Sequence, residues 1–290
     1  MPLKLFTDTS ANLPTALAAE LRLEVLPFSY IRAGQPFSCM DTETFDAEGF
    51  YGALKKGERV TTSMISIGAY TEAFEAELQA GNDVLYIGMS SGISGSYQAS
   101  AIAAEDLQGR YPQRRIVAFD TYGASLGEGL IAVTAARMNL AGASFDEILA
   151  EISDRRDHMM QVFTVDDLMY LHRGGRVSRV TAMIGSVLQI KPILRGDPQG
   201  HIIVTGKARG RKASIRTLAD DLAANVLPRD ADSVGIAQAG CAEDAQQLVS
   251  LIHASTQIRD ILVVPYEPVT GSHVGPGALA LFYLSREIRK

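Results

Sequence analysis

The sequence predicts an α/β protein of two domains, and three observations carry that reading. First, 290 residues are more than one hydrophobic core commonly holds. Second, short apolar runs alternate with segments of helical periodicity through the first half. That alternation implies a mostly parallel sheet with helices on both faces. Third, the pattern changes near residue 160, and beyond it two strand-like runs, Ile190–Leu194 and His201–Thr205, are joined by a hairpin-type turn. The expected division is an N-terminal α/β domain over 1–160 and a C-terminal α/β sandwich with some antiparallel strands over 161–290.

Taken in order, Leu3–Thr7 reads as a strand and Asp8–Pro14 as its turn, with Pro14 suited to open a helix to about Leu21. Glu24–Ile31 is the next strand, and Ala33-Gly34-Gln35-Pro36 turns into a hairpin. Phe45–Lys55 is helical. Ile67, Tyr70, Phe74 and Leu78 form one stripe of an amphipathic helix. Val84–Ile87 is a buried strand, followed by a loop of small residues and a helix to about Leu107. Strand Arg115–Phe119 and helix Leu126–Leu140 complete the alternation.

In the second half, helix Phe145–Arg156 leads to strand Gln161–Val165 and a basic turn over Leu171–Arg179. Strands Ile190–Leu194 and His201–Thr205 flank Gly196-Asp197-Pro198-Gln199-Gly200. Helix 211–226, strand Ser233–Gln238, helix Ala242–Ala254 and strand Ile261–Pro265 follow. A loop over Thr270–Gly277 then feeds the apolar segment Ala278–Leu284.

Ser90-Ser91-Gly92-Ile93-Ser94-Gly95-Ser96 lies where ligands sit in open α/β sheets, beyond the carboxyl end of a strand. The following helix start offers unpaired N–H groups to an anion, with Ser94 as its candidate N-cap. Two other motifs compete. Gly88-Met89-Ser90-Ser91-Gly92 fits G-x-S-x-G, so an esterase using Ser90 and His273 is the alternative function. Gly127-Glu128-Gly129-Leu130-Ile131-Ala132 fits a dinucleotide fingerprint but stands seven residues past its strand. It reads instead as close packing at a helix start.

A net charge of −6 argues against general nucleic-acid binding, and the basic run Lys207, Arg209, Arg211, Lys212 and Arg216 lacks interleaved aromatics. Cys39 and Cys241 form no C-x-x-C, so neither a disulfide framework nor a metal site is implied. No leader pattern and no apolar run of about 18 residues is seen, so a cytoplasmic protein without a transmembrane segment is expected.

Seven stretches, in order, resemble the DegV family of fatty-acid-binding proteins. They are Thr7-Asp8-Thr9-Ser10-Ala11-Asn12-Leu13-Pro14, Thr62-Ser63, Ser90–Gln98 and Gly174-Gly175-Arg176-Val177-Ser178. Ile190-Lys191-Pro192-Ile193-Leu194, Lys207-Ala208-Arg209-Gly210 and His273-Val274-Gly275-Pro276-Gly277 complete the set. The chain departs from the family at Met64 and Ile65, where Gln-Pro is usual, and at Thr9, Ser96 and Val274.

The resemblance implies a Rossmann-like first domain and a buried tunnel for one long-chain fatty acid. It implies no cofactor, no metal and no catalysis by the chain itself. The acid's carboxyl group would be presented to a separate fatty acid kinase for phosphorylation. By family position Thr62 and Ser94 hydrogen-bond the carboxyl, with Ser63 and the N–H of Gly95 beside them and His273 close by. Local sequence alone reads Thr62-Ser63 as a helix cap and His273 as a packed or surface histidine. Arg176 and Arg209 are expected to meet an acyl phosphate or an acidic partner surface. Each buried CH₂ contributes about 0.8 kcal/mol, so about 14 methylenes supply roughly 11 kcal/mol before ordering costs.

Overall fold

A computed structural model describes residues 2–39, 44–177, 189–227 and 234–289. Ser178, Arg179 and Ser233, which belong to expected motifs and strands, lie outside the described residues. The first part of the chain holds β1 (Leu3–Asp8), α1 (Thr15–Glu20), β2 (Glu24–Leu26), β3 (Ser29–Arg32) and β4 (Gln35–Ser38). After these come α2 (Ala47–Lys55), β5 (Val60–Ser63), α3 (Ile67–Gln79), β6 (Asp83–Gly88) and α4 (Ser96–Arg110). β7 (Ile116–Asp120), α5 (Leu126–Leu140) and α6 (Phe145–His158) follow. Among the described residues, β2-β1-β6-β7 form a four-stranded, wholly parallel sheet, and β4-β3-β5 a small antiparallel one.

From Met159 onward every described strand joins a second sheet. The elements are β8 (Met159–Thr164), α7 (Met169–Arg173), β9 (Ile190–Gly196), β10 (Ile202–Arg209) and α8 (Arg211–Asn225). β11 (Gly235–Gln238), α9 (Ala242–Ser255), β12 (Leu262–Pro265), α10 (Pro268–Val274) and β13 (Leu279–Leu284) complete them. The sheet is six-stranded in the order β10-β9-β8-β13-β11-β12, antiparallel except between β11 and β12. The apolar segment near the end of the chain is therefore a central strand, buried along its whole length.

Helix α5 joins the two halves. It packs on β1 and β6 of the first sheet and on β8, β11 and β13 of the second. A helix so enclosed is buried all round, as residues 126–133 are, and its one carboxyl there, Glu128, is bonded to Thr7 and Ser10. Its glycines permit the approach. A Cβ on Gly129 would stand 2.3 Å from the Ala11 carbonyl oxygen, and one on Gly127 2.6 Å from Gln161 Oε1. The fingerprint-like run is thus a packing device.

Three expectations are corrected. Glu24–Ile31 is two strands in two sheets, because Pro27 has no N–H to continue the ladder. Ser66, not Thr62-Ser63, caps α3 by accepting from Ala69 N at 3.2 Å, while Thr62 and Ser63 end strand β5. Thr270–Val274 is helical, with Pro268 in its first turn.

Candidate functional site

A cavity of about 290 Å³ opens between the two sheets. Phe28, Met89, Phe163, Leu171, Val269 and Phe282 supply apolar wall from both halves. A polar group gathers along one part of the lining: Thr62 and Ser63 from the end of β5, Ser94 and Gly95 from the β6–α4 loop, His273 from α10, and Arg176 from the turn after α7. Thr62 and Ser94 are half-buried, while Ser63, Met64 and Gly95 are exposed, so this polar group stands at the opening.

Arg209 is not there. It ends β10 opposite Ile190, exposed and away from the lining. Ser94 is not the N-cap of α4. Gly95 takes that position without a side-chain bond, and Ser94 Oγ accepts from Ser96 N at 3.2 Å. Ser94 lines the cavity, and its hydroxyl keeps a proton to donate.

His273 Nε2 lies 2.9 Å from Thr62 Oγ1. Burial, and then the nearby Arg176, push the imidazole down to about 4, so it is neutral at pH 7. Gly174 is needed beside it, since a Cβ there would stand 2.5 Å from His273 Nδ1. Arg176 donates from Nε to the Ile93 carbonyl at 3.0 Å and from Nη1 to the Gly174 carbonyl at 2.5 Å. Among the described residues no carboxylate pairs with it, and burial lowers its pKa. A guanidinium held by carbonyls keeps its charge available to an anion.

The loops are tied down from behind. Asn12, at φ 57°, donates to the Pro265 carbonyl at 2.9 Å and accepts from Glu267 N at 2.7 Å. Glu267 caps α10 through Val269 N at 2.5 Å and Thr270 N at 2.6 Å. The first turn of the chain thereby fixes the helix that carries His273. Asp8 accepts from Met89 N at 3.4 Å and from Tyr86 OH at 2.5 Å. Tyr86, Tyr70 and Ser96 continue this chain at 2.8 and 2.7 Å, bracing both ends of the loop that holds Ser94.

The esterase pair is not made. Ser90 is fully buried, donates to the Gly200 carbonyl at 2.9 Å and accepts from Gly92 N at 3.0 Å, while His273 is engaged with Thr62. Sequence reasoning did not reach the lining from Tyr122 to Ser125 or from Gln161, because which loops converge depends on how the two sheets meet. No group of His, Cys, Asp and Glu among the described residues is arranged to hold a metal ion, and no described helix is long and apolar enough to cross a membrane.

Comparison with known proteins follows this geometry. The chain is 36% identical over 281 residues to a DegV domain-containing protein of Clostridium perfringens, covering 97% of this chain and 96% of that one. It superposes with a TM-score of 0.86 on a structure described as fatty acid binding of a DegV family protein from Thermus thermophilus, at 26% identity and covering 98% and 100% of the two chains. DegV of Bacillus subtilis, described as a fatty acid binding protein, gives a TM-score of 0.82 at 28% identity, covering 99% and 100%. The profile of the family described as "Uncharacterised protein, DegV family" matches residues 2–286, and the chain belongs to the DegV family.

Proposed function

We propose that this protein binds one long-chain fatty acid, with its tail in the cavity between the sheets and its carboxyl group at the opening. One observation carries the reading: a largely apolar slot whose opening gathers three hydroxyls, a helix start, a neutral imidazole and a guanidinium with no carboxylate partner among the described residues. Thr62 and Ser94 donate to the carboxylate, Ser63 and Gly95 N–H lie beside them, and His273 orients Thr62. The relatives described as fatty acid binding support the same choice of ligand. The head group sits at the exposed edge, so the protein acts as a carrier that offers the carboxyl to a separate fatty acid kinase. Arg176 meets the phosphate or the partner, and Arg209 belongs to the partner's docking surface. We place the domains at 1–160 and 161–290 and the protein in the cytoplasm.

Calorimetric titration with palmitic acid tests this. Wild type is expected to bind one equivalent. Thr62→Ala and Ser94→Ala should each weaken binding about ten- to a hundredfold, the loss of a hydrogen bond to a charged group of roughly 1.5–3 kcal/mol. Unchanged affinity in both variants would place the carboxyl elsewhere.

A further inference from the structure

Two hydroxyls in the cavity wall, those of Ser125 and Thr270, have no hydrogen-bond partner among the described residues, and that of Ser125 stands at the start of a long helix. Ser125 is the N-cap of α5, where a serine ordinarily turns its oxygen onto the N–H groups of the first turn. Here no such bond is made. The residue is 1% exposed, and its Oγ has no hydrogen bond among the described residues. The side chain lines the cavity instead.

The backbone explains the direction. Ser125 has φ 53° and ψ −140°, a region that residues with a Cβ rarely enter. It stands in Gly123-Ala124-Ser125-Leu126-Gly127, between strand β7 and helix α5. Both glycines stand in close quarters: a Cβ on Gly123 would lie 3.0 Å from the Gly127 carbonyl carbon, and one on Gly127 2.6 Å from Gln161 Oε1. Gln161 clamps the turn from the other sheet, accepting from Ala124 N at 3.1 Å and donating to the Tyr122 carbonyl at 3.0 Å.

This run has the G-x-S-x-G spacing of a nucleophile elbow. A nucleophile also needs a base, and the histidine of this cavity is engaged with Thr62, while burial lowers its pKa to about 4 and makes it a weak base. What remains is a hydroxyl that donates and accepts, at the positive end of a 15-residue helix, in the wall of a slot that Phe28, Met89, Phe163 and Phe282 also line. An unsubstituted acyl chain leaves it unpaired, and a buried unpaired hydroxyl is unfavourable.

We infer that Ser125 is a second hydrogen-bonding point for the ligand, and that it selects long-chain acids bearing a hydroxyl group along the acyl chain. The inference rests on the fatty-acid reading above. The ligand's hydroxyl oxygen accepts from Ser125 Oγ, so the preference depends on where along the chain that oxygen lies.

The test is competition between stearic acid and a positional series of monohydroxystearic acids, on wild type, Ser125→Ala and Ser125→Gly. Alanine keeps the Cβ and the strained backbone, while glycine relieves the strain, and both remove the hydroxyl. At least one isomer should bind wild type about tenfold more tightly than stearic acid, equivalent to 1.4 kcal/mol. That preference should disappear in both variants. Wild type that binds stearic acid and prefers no hydroxy isomer overturns the inference while leaving the fatty-acid reading intact. A preference that persists without the hydroxyl overturns it equally. Wild type that takes up none of the acids overturns the fatty-acid reading itself.

Discussion

Ser10 has one hydroxyl proton and two carboxylate neighbours. Its Oγ lies 2.6 Å from Asp8 Oδ1 and 2.5 Å from Glu128 Oε2, and all three residues are fully buried. One hydroxyl cannot donate twice, so one carboxyl is protonated. Asp8 already accepts from Ser10 N, Tyr86 OH and Met89 N, which favours its charged form, so the proton belongs to Glu128. Burial raises Glu128 well above its ordinary 4.5, and the facing acids Asp8 and Glu267 add to the shift. A raised carboxyl pKa contributes stability that is full below about 4.5 and is lost as pH rises through the folded value. Glu128→Gln should therefore gain on wild type as pH rises, and its unfolding at pH 7 should release about one proton fewer. Equal proton release from the two proteins would contradict this assignment. His273 works in the opposite sense. Its pKa falls from 6.5 to about 4, so its contribution is lost as pH drops through that window. Urea midpoints at pH 7 and pH 5 should converge between wild type and His273→Gln at the lower pH.

Helix α5 explains why some of this protein is legible in its sequence and some is not. Its packing on both sheets requires glycine where backbone meets backbone. Gly129→Ala would drive a methyl into the Ala11 carbonyl and should cost about 1–3 kcal/mol, read as a lowered melting temperature. Ordinary stability in that variant would mean that α5 is not seated as described. Alternation of strand and helix was readable because each element carries its own periodicity, as in α3 with its buried Tyr70, Phe74 and Leu78. The break at Pro27 was harder to read, since Glu24–Leu26 and Ser29–Arg32 are both strands and only their partners differ. Thr62, Ser94 and His273 were expected together on resemblance, and they do line one cavity. Only the readings of Thr62-Ser63 and Ser94 as helix caps fail, because capping depends on the backbone angles at Ser66 and Gly95. Ser125 shows the same limit: its spacing is visible, but its unpaired hydroxyl emerges only once Gln161 arrives from the second sheet.

The whole molecule carries a net charge of −6, against which Arg176 at the opening and exposed Arg209 stand out as positive. Opposite charges on two proteins mainly speed their encounter, and salt screens that gain over about 8 Å. On the proposed carrier role, Arg209→Ala should slow phosphorylation of bound acid by the proposed kinase at low salt and converge with wild type at high salt. A rate equal to wild type at every salt concentration would remove Arg209 from docking. All of this depends on one acid lying in one cavity. Native mass spectrometry of the purified protein, before and after addition of carboxyl-labelled palmitic acid, tests that most directly. The account predicts a mass increase of a single fatty acid per chain, exchangeable for the labelled acid. Protein that is ligand-free as purified and takes up none of the added acid would contradict it.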